Sequence, residues 1–382
     1  MSENTMIAQV ERLPEIIREQ TPIIDQRIRR LLDHELCLSV KHIVTTGCGD
    51  SHMAAVATEL AFEQLAGIST EPLNAMTAAR YNLAANKSAF PGNPLLMCIS
   101  ASGGVARTRE ALGVGKEAGA TTLALTANTE SPLASISDLV LDCSVPEYDH
   151  APGVISYRVS MIALFLIAIR LAEVREKMTQ DQAGALRQQL ASIGDAVEAT
   201  IEGCRDKVLE VVKATKDQKN FVFVGDGPNY STALFGAAKL LEAAGSHAMG
   251  QDTEEWAHLQ YFANADTDTP TFVISPAGRG HNRVAEILEP MNRIGRYSVG
   301  IVPEGDDVVG PNVDMVLPVA GNVPEIFSPM IYPIATELFA AYFADEIGEK
   351  FFRGFEGVYD DDDANTIKTS TILSRNDMSG SA

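Results

Sequence analysis

The stretch HIVTTGCGDSHMAAVATEL, residues 42–60, joins a β-branched run to an alanine-rich helix through a turn that contains two glycines. A second segment of this kind follows: an apolar run at residues 95–99 ends in Ser100-Ala101-Ser102-Gly103-Gly104 and leads into a helix through Gly115. Two further strands are predicted at residues 121–127 and 138–143. Strands that alternate with helices in this way are typical of a parallel sheet covered on both faces.

The same plan begins again at residues 221–227, FVFVGDG, which lead into a helix at residues 230–244. Further strands are predicted at residues 271–275, 299–302 and 315–318, and a closing helix at residues 329–349. The two halves share an order of strand, glycine-containing turn and helix, so we interpret them as an internal duplication. The predicted fold is α/β, with two tandem doubly wound lobes of four strands each.

The remaining segments define five predicted regions. Residues 1–36 read as an amphipathic helical arm that Pro14 and Pro22 break into pieces. The other predicted regions are the first lobe at 37–174, a charged helical connection at 175–218, the second lobe at 219–350 and a C-terminal tail at 351–382 that carries Lys368.

Composition limits the class of protein. The 382-residue chain is 46% hydrophobic and has a formal net charge of −21, which argues against sequence-independent binding to nucleic acid or anionic membranes. Its five cysteines are scattered, without zinc-site spacing, and its N-terminus lacks a secretory apolar segment. We therefore expect a reduced, cytoplasmic protein with no structural metal. The longest apolar run, residues 161–169, is too short to span a bilayer and is predicted to be a buried helix.

Residues 100–104 are a candidate phosphate cradle. They combine two hydroxyls, glycine-exposed backbone N–H groups and a helix N-terminus at the carboxyl end of a strand. Residues 47–51 would lie beside them at the same sheet edge, where open α/β sheets bind ligands. The alternative is an ordinary turn between strand and helix. The second half lacks the Ser-x-Ser-Gly pattern, so one anion site per chain is expected, and neither half has a dinucleotide or P-loop motif.

A candidate acid–base group lies in GAAKLLEAAGSHAMGQDTEEWAH, residues 236–258. Lys239 and Glu242 are one helical turn apart and share a face. A short link leads to a second helix, which carries His258. A carboxylate, an imidazole and an ammonium are the groups that proton transfer requires. Taken alone, the segment is better explained as a surface ion pair and an ordinary helix histidine.

Two further polar segments have simpler explanations. Asp149 and His150 precede a loop where they could face a ligand or simply be solvated. The acidic run at residues 360–363 is predicted to be a solvated hinge, because no other metal-ligating residues cluster near it.

Taken together, GCGDS, ISASGG and the repeated lobe resemble the double SIS (sugar isomerase) architecture. The chain looks most like the isomerase half of glutamine–fructose-6-phosphate aminotransferase and the related phosphosugar deglycases and deaminases. The resemblance runs from about residue 38 to residue 372. The family pattern GALKLKEI…HAEA…GELKHGP falls on residues 236–258 without a gap, and RNLAKSVTV falls on residues 364–372.

The resemblance implies roles for individual residues. Glu242 would move a proton between C1 and C2, His258 would assist ring opening from a neighbouring subunit, and Lys239 and Lys368 would stand at the reacting end of the sugar. The positions matching the family's substrate-binding motifs are Gly49, Asp50, Ser51, Ser100, Ala101, Ser102, Val105, Val154 and Ser156.

The departures from the family pattern indicate a changed substrate. Ala101 and Val105 replace the Gln and Thr of the phosphate loop, and Asp50 replaces a Thr. Asp50 would either turn away as a helix N-cap or face an amine on the substrate. The glutaminase half is not recognised in this sequence, so glutamine is not expected to be its ammonia donor.

The predicted function is therefore isomerisation, deamination or deglycation of a 6-phosphorylated ketose or aminosugar, by a homodimer or larger homo-oligomer. No metal or organic cofactor is expected, because the proton removed lies α to a carbonyl or iminium. Two alternatives are a non-catalytic phosphosugar sensor, which would need Ser100 and Ser102 but not Glu242, His258 and Lys368, and a nucleotide-dependent dehydrogenase.

Overall fold

The computed structural model describes residues 4–85, 92–263, 268–360 and 364–379. Two compact units are interleaved along the chain, whereas the predicted regions are contiguous. The first-lobe unit contains Ile16–Glu147, Ser156–Ala191 and Asp361–Ala382. The second-lobe unit contains Met1–Glu15, Tyr148–Ile155 and Ser192–Asp360.

The N-terminal arm is one uninterrupted helix, α1 (Thr5–Leu31), so the predicted breaks at Pro14 and Pro22 are wrong. Each proline removes one helical N–H, which usually kinks or ends a helix. Here the apolar stripe that includes Leu13, Ile17 and Ile24 is fully buried along the length of the helix. Burial of such side chains contributes about 1.5–3 kcal/mol each, which offsets the two lost hydrogen bonds.

The first-lobe sheet has five parallel strands in the order β2-β1-β3-β4-β5. Its central strand β3 is buried along nearly its whole length, as expected for a parallel strand covered by helices. The strands are β1 (Ile43–Gly47), β2 (Thr70–Asn74), β3 (Gly92–Ile99), β4 (Ala120–Thr126) and β5 (Leu139–Asp142).

Helices flank this sheet and pack an aliphatic core against it, in which Leu96, Cys98 and Leu112 are fully buried. The helices are α2 (His34–Ser39), α3 (Asp50–Ala61), α4 (Ala75–Thr77), α5 (Ala106–Glu117), α6 (Pro132–Ile136) and α7 (Ile155–Val174). A long charged helix, α8 (Gln180–Thr215), follows them.

The second-lobe sheet repeats the same order, with β7-β6-β8-β9-β10 all parallel. Phe223 stacks on Phe272 with ring centroids 4.8 Å apart, and Phe339 lies 4.7 Å from Phe272. The elements are β6 (Asn220–Gly225), α9 (Tyr230–Ala244), β7 (His247–Gln251), α10 (Thr253–His258), β8 (Thr271–Ile274), α11 (His281–Arg293), β9 (Ser298–Pro303), β10 (Met315–Val319) and α12 (Pro333–Ile347). A short helix, α13 (Arg375–Ser379), lies in the tail.

The doubly wound α/β prediction is confirmed, with one strand more in each lobe than predicted. The additional strands, β2 and β7, are the edge strands next to β1 and β6. Neither has a run of buried apolar residues. In β2 only the first residue is buried, and β7, which reads HAMGQ, is exposed or half-buried throughout. Pairing with the neighbouring strand, rather than local propensity, makes these segments strands.

Two helical segments, Ile155–Val174 and Glu325–Ile347, have the length and composition of a membrane span. Their most apolar windows are 94% and 89% buried inside the protein, which is how a core helix of a soluble protein looks. The prediction of a buried helix at residues 161–169 agrees with α7.

Candidate functional site

Lys239 and Glu242 form a close ion pair on α9, in the second-lobe unit. Lys239 Nζ lies 2.5 Å from Glu242 Oε2, and 4.8 Å from the ring centroid of Phe235. The Lys239 side chain is fully buried, whereas the Glu242 side chain is 34% exposed. The pair is therefore not a solvated surface pair, because only the carboxylate reaches the surface. Burial of an ammonium is costly unless its partner carboxylate is held close to it.

His258 lies at the end of α10, and its position is set by the start of that helix. Asp252 is the N-cap and accepts a hydrogen bond from the Glu255 amide at 2.8 Å. The Thr253 amide and hydroxyl both donate to the Asp226 carboxylate, which ties α10 to the end of β6. The link from α9 to α10 is thus the edge strand β7, not the short connection that the sequence predicted.

The His258 imidazole points into solvent. Its side chain is 69% exposed, and Nε2 lies 3.5 Å from Glu254 Oε1 one turn earlier. Among the described residues of the second-lobe unit, His258 is paired with Glu254 and Glu242 with Lys239, so the two candidate residues do not share an ion pair. An exposed histidine at a helix end is available to another molecule.

In the first-lobe unit, residues 100–104 form a tight loop between β3 and α5. Ser100 is buried, and its Oγ accepts from the Gly103 amide at 3.2 Å, while Ser102 Oγ is exposed and accepts from the Gly104 amide at 3.3 Å. Val105 is the N-cap residue, and no described side chain caps α5. The predicted cradle thus has its two hydroxyls at a helix N-terminus that no described side chain caps, with Ala101 exposed beside them.

Gly103 has a steric reason to be glycine. Its φ is +63°, and an added Cβ would lie 2.0 Å from Ser131 Oγ. Ser131 is the N-cap of α6, and Thr126 Oγ1 donates to the Ala101 carbonyl at 3.2 Å. Thr126 and Ser131 therefore hold the loop in shape. The sequence reasoning missed both residues, although the Ser131-Pro132 pair is a helix-start signal.

The loop at residues 47–51 lies beside the cradle, as predicted, because β1 and β3 are neighbours. Cys48 Sγ lies 3.8 Å from Thr108 Oγ1 in the first turns of α5. The N-cap of α3 is Gly49, and Asp50 is the first residue of the helix, so of the two alternatives for Asp50 the N-cap role does not hold. Asp50 and Ser51 are both half-buried. A carboxylate in the first turn interacts favourably with the helix dipole.

In the second lobe, a carboxylate from a distant residue, Glu325, contacts the equivalent loop, residues 275–280. Glu325 Oε1 accepts from the Arg279 amide at 3.0 Å, and an added Cβ on Gly278 would lie 2.2 Å from that oxygen. The prediction of a single anion site per chain has a physical basis in this contact, since a fixed carboxylate repels a bound anion.

The tail, defined here as residues 364–379, belongs to the first-lobe unit. The Ile367 carbonyl accepts a hydrogen bond from the Ala106 amide, the first residue of α5, at 2.9 Å. Lys368 is the next residue and is exposed. The backbone beside Lys368 therefore lies at the same helix end as the cradle.

The remaining candidates are dispersed. Val154 is buried at the end of a loop that Gln9 holds through the Asp149 carbonyl and the Ile155 amide, while Ser156 is half-buried in the first turn of α7. His150 packs near Phe352, with ring centroids 5.4 Å apart, so the loop is not purely solvated. Of the predicted hinge, Asp360 is exposed, and residues 361–363 lie outside the described residues.

One further histidine lies in the first turn of α3 and interacts with β2. His52 follows Ser51 in the first turn of α3 and is half-buried. Burial lowers its pKa, opposed by a hydrogen bond with Leu73, so the neutral form is favoured. Within the part of the chain that the structure describes, no three His, Cys, Asp or Glu side chains are grouped to hold a metal.

The chain is similar to known proteins over most of its length. Residues 38–170 match the SIS domain family. The glutamine–fructose-6-phosphate aminotransferase (isomerizing) of Gloeobacter violaceus is 25% identical over 90% of this chain and 56% of its own length. The chain spans about half the length of the curated relatives it matches.

Solved structures show the same fold. The C-terminal domain of glucosamine–fructose-6-phosphate aminotransferase from Francisella tularensis superposes with a TM-score of 0.75 at 19% identity, covering 91% of this chain and 97% of that chain. Glucosamine-6-phosphate deaminase from Thermotoga maritima superposes with a TM-score of 0.63 at 18% identity, covering 89% of this chain and 96% of that chain.

Proposed function

Because residues 38–170 are a SIS domain and the chain as a whole has a double SIS architecture, we propose that it transfers a proton between C1 and C2 of a 6-phosphorylated ketose or aminosugar. The observation that carries the proposal is the Lys239–Glu242 pair, in which a buried ammonium fixes a carboxylate that remains accessible. A sensor protein needs a phosphate cradle but has no use for such a pair. The names of the related proteins, isomerising aminotransferases and a deaminase, agree with this chemistry.

The proposal divides the work between two sets of residues. Ser51, Ser100, Ser102 and the N-terminus of α5 bind the phosphate. Glu242 removes the proton next to the carbonyl or iminium carbon, and the enediol or enolamine takes it back on the adjacent carbon. Lys368 stabilises the developing oxyanion, and Lys239 keeps the Glu242 carboxylate in place.

We favour an amine-bearing substrate, which makes the protein a deaminase or deglycase. The support is Asp50, a half-buried acid in the cradle region where the family has a threonine. The five cysteines are all free, which agrees with a reducing, cytoplasmic setting.

The test is a panel of 6-phosphosugars, aminosugar phosphates and phosphorylated Amadori compounds, incubated with the protein in D₂O. We expect deuterium at C1 or C2 of at least one compound, detected by proton NMR. If phosphate esters bind but none of them exchanges, the protein is a sensor and the proposed function is wrong.

A mixing experiment tests whether His258 acts across a subunit boundary. Glu242→Gln and His258→Asn chains are each expected to be nearly inactive alone. If His258 serves the partner's site, random mixing restores about a quarter of the wild-type rate, because half of the dimers are mixed and each has one intact site. No recovery after mixing, with dimers verified by light scattering, would place both residues in the same subunit's site.

A further inference from the structure

The tail is fixed to α5 along the whole helix rather than at one point. Every turn of the helix contributes a partner for it. The contacts are Ala106 N to Ile367 O at 2.9 Å, Glu110 Oε2 to Leu373 N at 2.9 Å and Glu117 Oε2 to Arg375 N at 2.7 Å.

Glu110 is the centre of this contact. It is fully buried, and its Oε1 accepts from Arg80 Nε at 2.7 Å. It also pairs with Arg107 on its own helix. Burial alone would raise the pKa of Glu110, but the hydrogen bonds from Arg80, the Leu373 amide and Arg107 outweigh it, and the pKa is lowered. A buried carboxylate between two guanidinium groups is costly unless every partner stays in place.

Arg107 carries the contact from Glu110 to the tail. One of its terminal nitrogens, Nη1, donates to Glu110, and the other, Nη2, donates to the Thr371 carbonyl at 2.6 Å and to Ser370 Oγ at 3.1 Å. Its side chain is 12% exposed. The planar guanidinium is suited to this bridging because its donors have fixed directions.

Lys368 lies between the anchored residues of the tail. Ile367, bonded to α5, precedes it by one position, and Ser370, bonded to Arg107, follows it by two. The Ser370 amide closes a turn on the Thr366 carbonyl at 3.1 Å, and Thr366 has a φ of +59°, which is strained for a β-branched residue. A strained turn persists only where its surroundings determine it.

We infer that Arg107, held by Glu110, is a positioning residue that fixes the tail turn and thereby the place of Lys368. A single hydrogen bond from Ala106 contributes about 1 kcal/mol, which is comparable to the backbone entropy of one ordered residue. The Arg107 contacts supply the additional constraint. The inference rests on the proposed function for the role of Lys368 in proton transfer on a sugar phosphate.

The test uses the full chain, and its first readout, amide hydrogen exchange of the tail, does not depend on enzymatic turnover. Arg107→Gln should speed amide hydrogen exchange of residues 366–373 by about 10-fold or more, because their anchor is lost. It should also slow deuterium uptake by the sugar phosphate to the level of Lys368→Ala, measured by proton NMR. The matched control is Arg109→Gln, since Arg109 lies on the same helix and has no hydrogen bond to the tail among the described residues.

A double variant separates positioning from a general loss of structure. If Arg107 acts through Lys368, the sugar phosphate takes up deuterium no more slowly with Arg107→Gln/Lys368→Ala than with Lys368→Ala alone. Additive losses, or a tail that stays protected in Arg107→Gln, would overturn the inference. If the tail amides of Arg107→Gln exchange faster as expected while no sugar phosphate takes up deuterium with the wild-type protein, Arg107 still positions the tail and only the proposed reaction fails.

Discussion

Glu242→Gln should reduce deuterium exchange at C1 and C2 by about 10³-fold, the size of effect expected when a general base is removed. Phosphate binding should be unchanged, because the cradle residues lie in the other compact unit. The amide of glutamine can still accept a hydrogen bond from Lys239, but it cannot take a proton from carbon. The exchange rate is measured by NMR and the phosphate affinity by calorimetry.

Because Lys239 is buried, a second variant is needed to separate loss of the base from loss of stability. With glutamine at residue 242, the buried Lys239 ammonium loses the carboxylate at 2.5 Å, and removing one partner of a buried ion pair is destabilising. Glu242→Asp keeps the negative charge but withdraws it by one methylene, so the protein should remain folded and still lose most of its exchange. Glu202→Gln, an exposed acid on α8, is the control. Wild-type exchange in Glu242→Gln would exclude Glu242 as the base.

Gly103→Ala should weaken phosphate binding by about 10-fold or more, since an L-residue at a positive φ costs about 1–3 kcal/mol before any clash is counted. The new Cβ would lie 2.0 Å from Ser131 Oγ, so the loop or the start of α6 must move. Both Ser100 and Ser102 lie on that loop, and their hydroxyls would leave the positions the phosphate requires.

The adjacent glycine provides a matched control. An added Cβ on Gly104 would have Ser102 Oγ as its near neighbour at 3.7 Å, an ordinary contact, and the φ of Gly104 is not positive. Gly104→Ala should therefore bind phosphate within about 3-fold of wild type. Calorimetric titration compares the two variants, and thermal unfolding verifies that both are folded. Equal affinities for the two alanine variants would mean that the loop does not bind phosphate.

Much of the fold could be predicted because its signals are local. The runs that became β1, β3, β6 and β8 are apolar and end in glycine or serine, so their own residues determine both the strand and its end. The Lys239–Glu242 pair was also predictable, since their spacing places them on one helix face. The burial of the Lys239 ammonium could not be predicted, because burial depends on residues distant in the chain.

The features that were missed depend on distant partners. Strand β7 exists because β6 pairs with it, and α1 continues through Pro14 and Pro22 because its apolar side is buried. Glu325 reaches the loop at residue 279 from 46 positions away, and Arg107 binds the tail from 263 positions away. No window of neighbouring residues contains these pairs, so propensity and periodicity cannot predict them.

During synthesis, neither compact unit can be completed early. Residues 1–15 belong with residues 148–155 and 192–360, so this segment is synthesised roughly 7–27 s before the first of these partners, at 5–20 residues per second. The first-lobe unit in turn lacks its tail until residues after 360 have been translated. Apolar side chains of α1 such as Val10 and Leu13 therefore remain uncovered on the nascent chain for that interval, when a chaperone that binds short apolar helices can reach them.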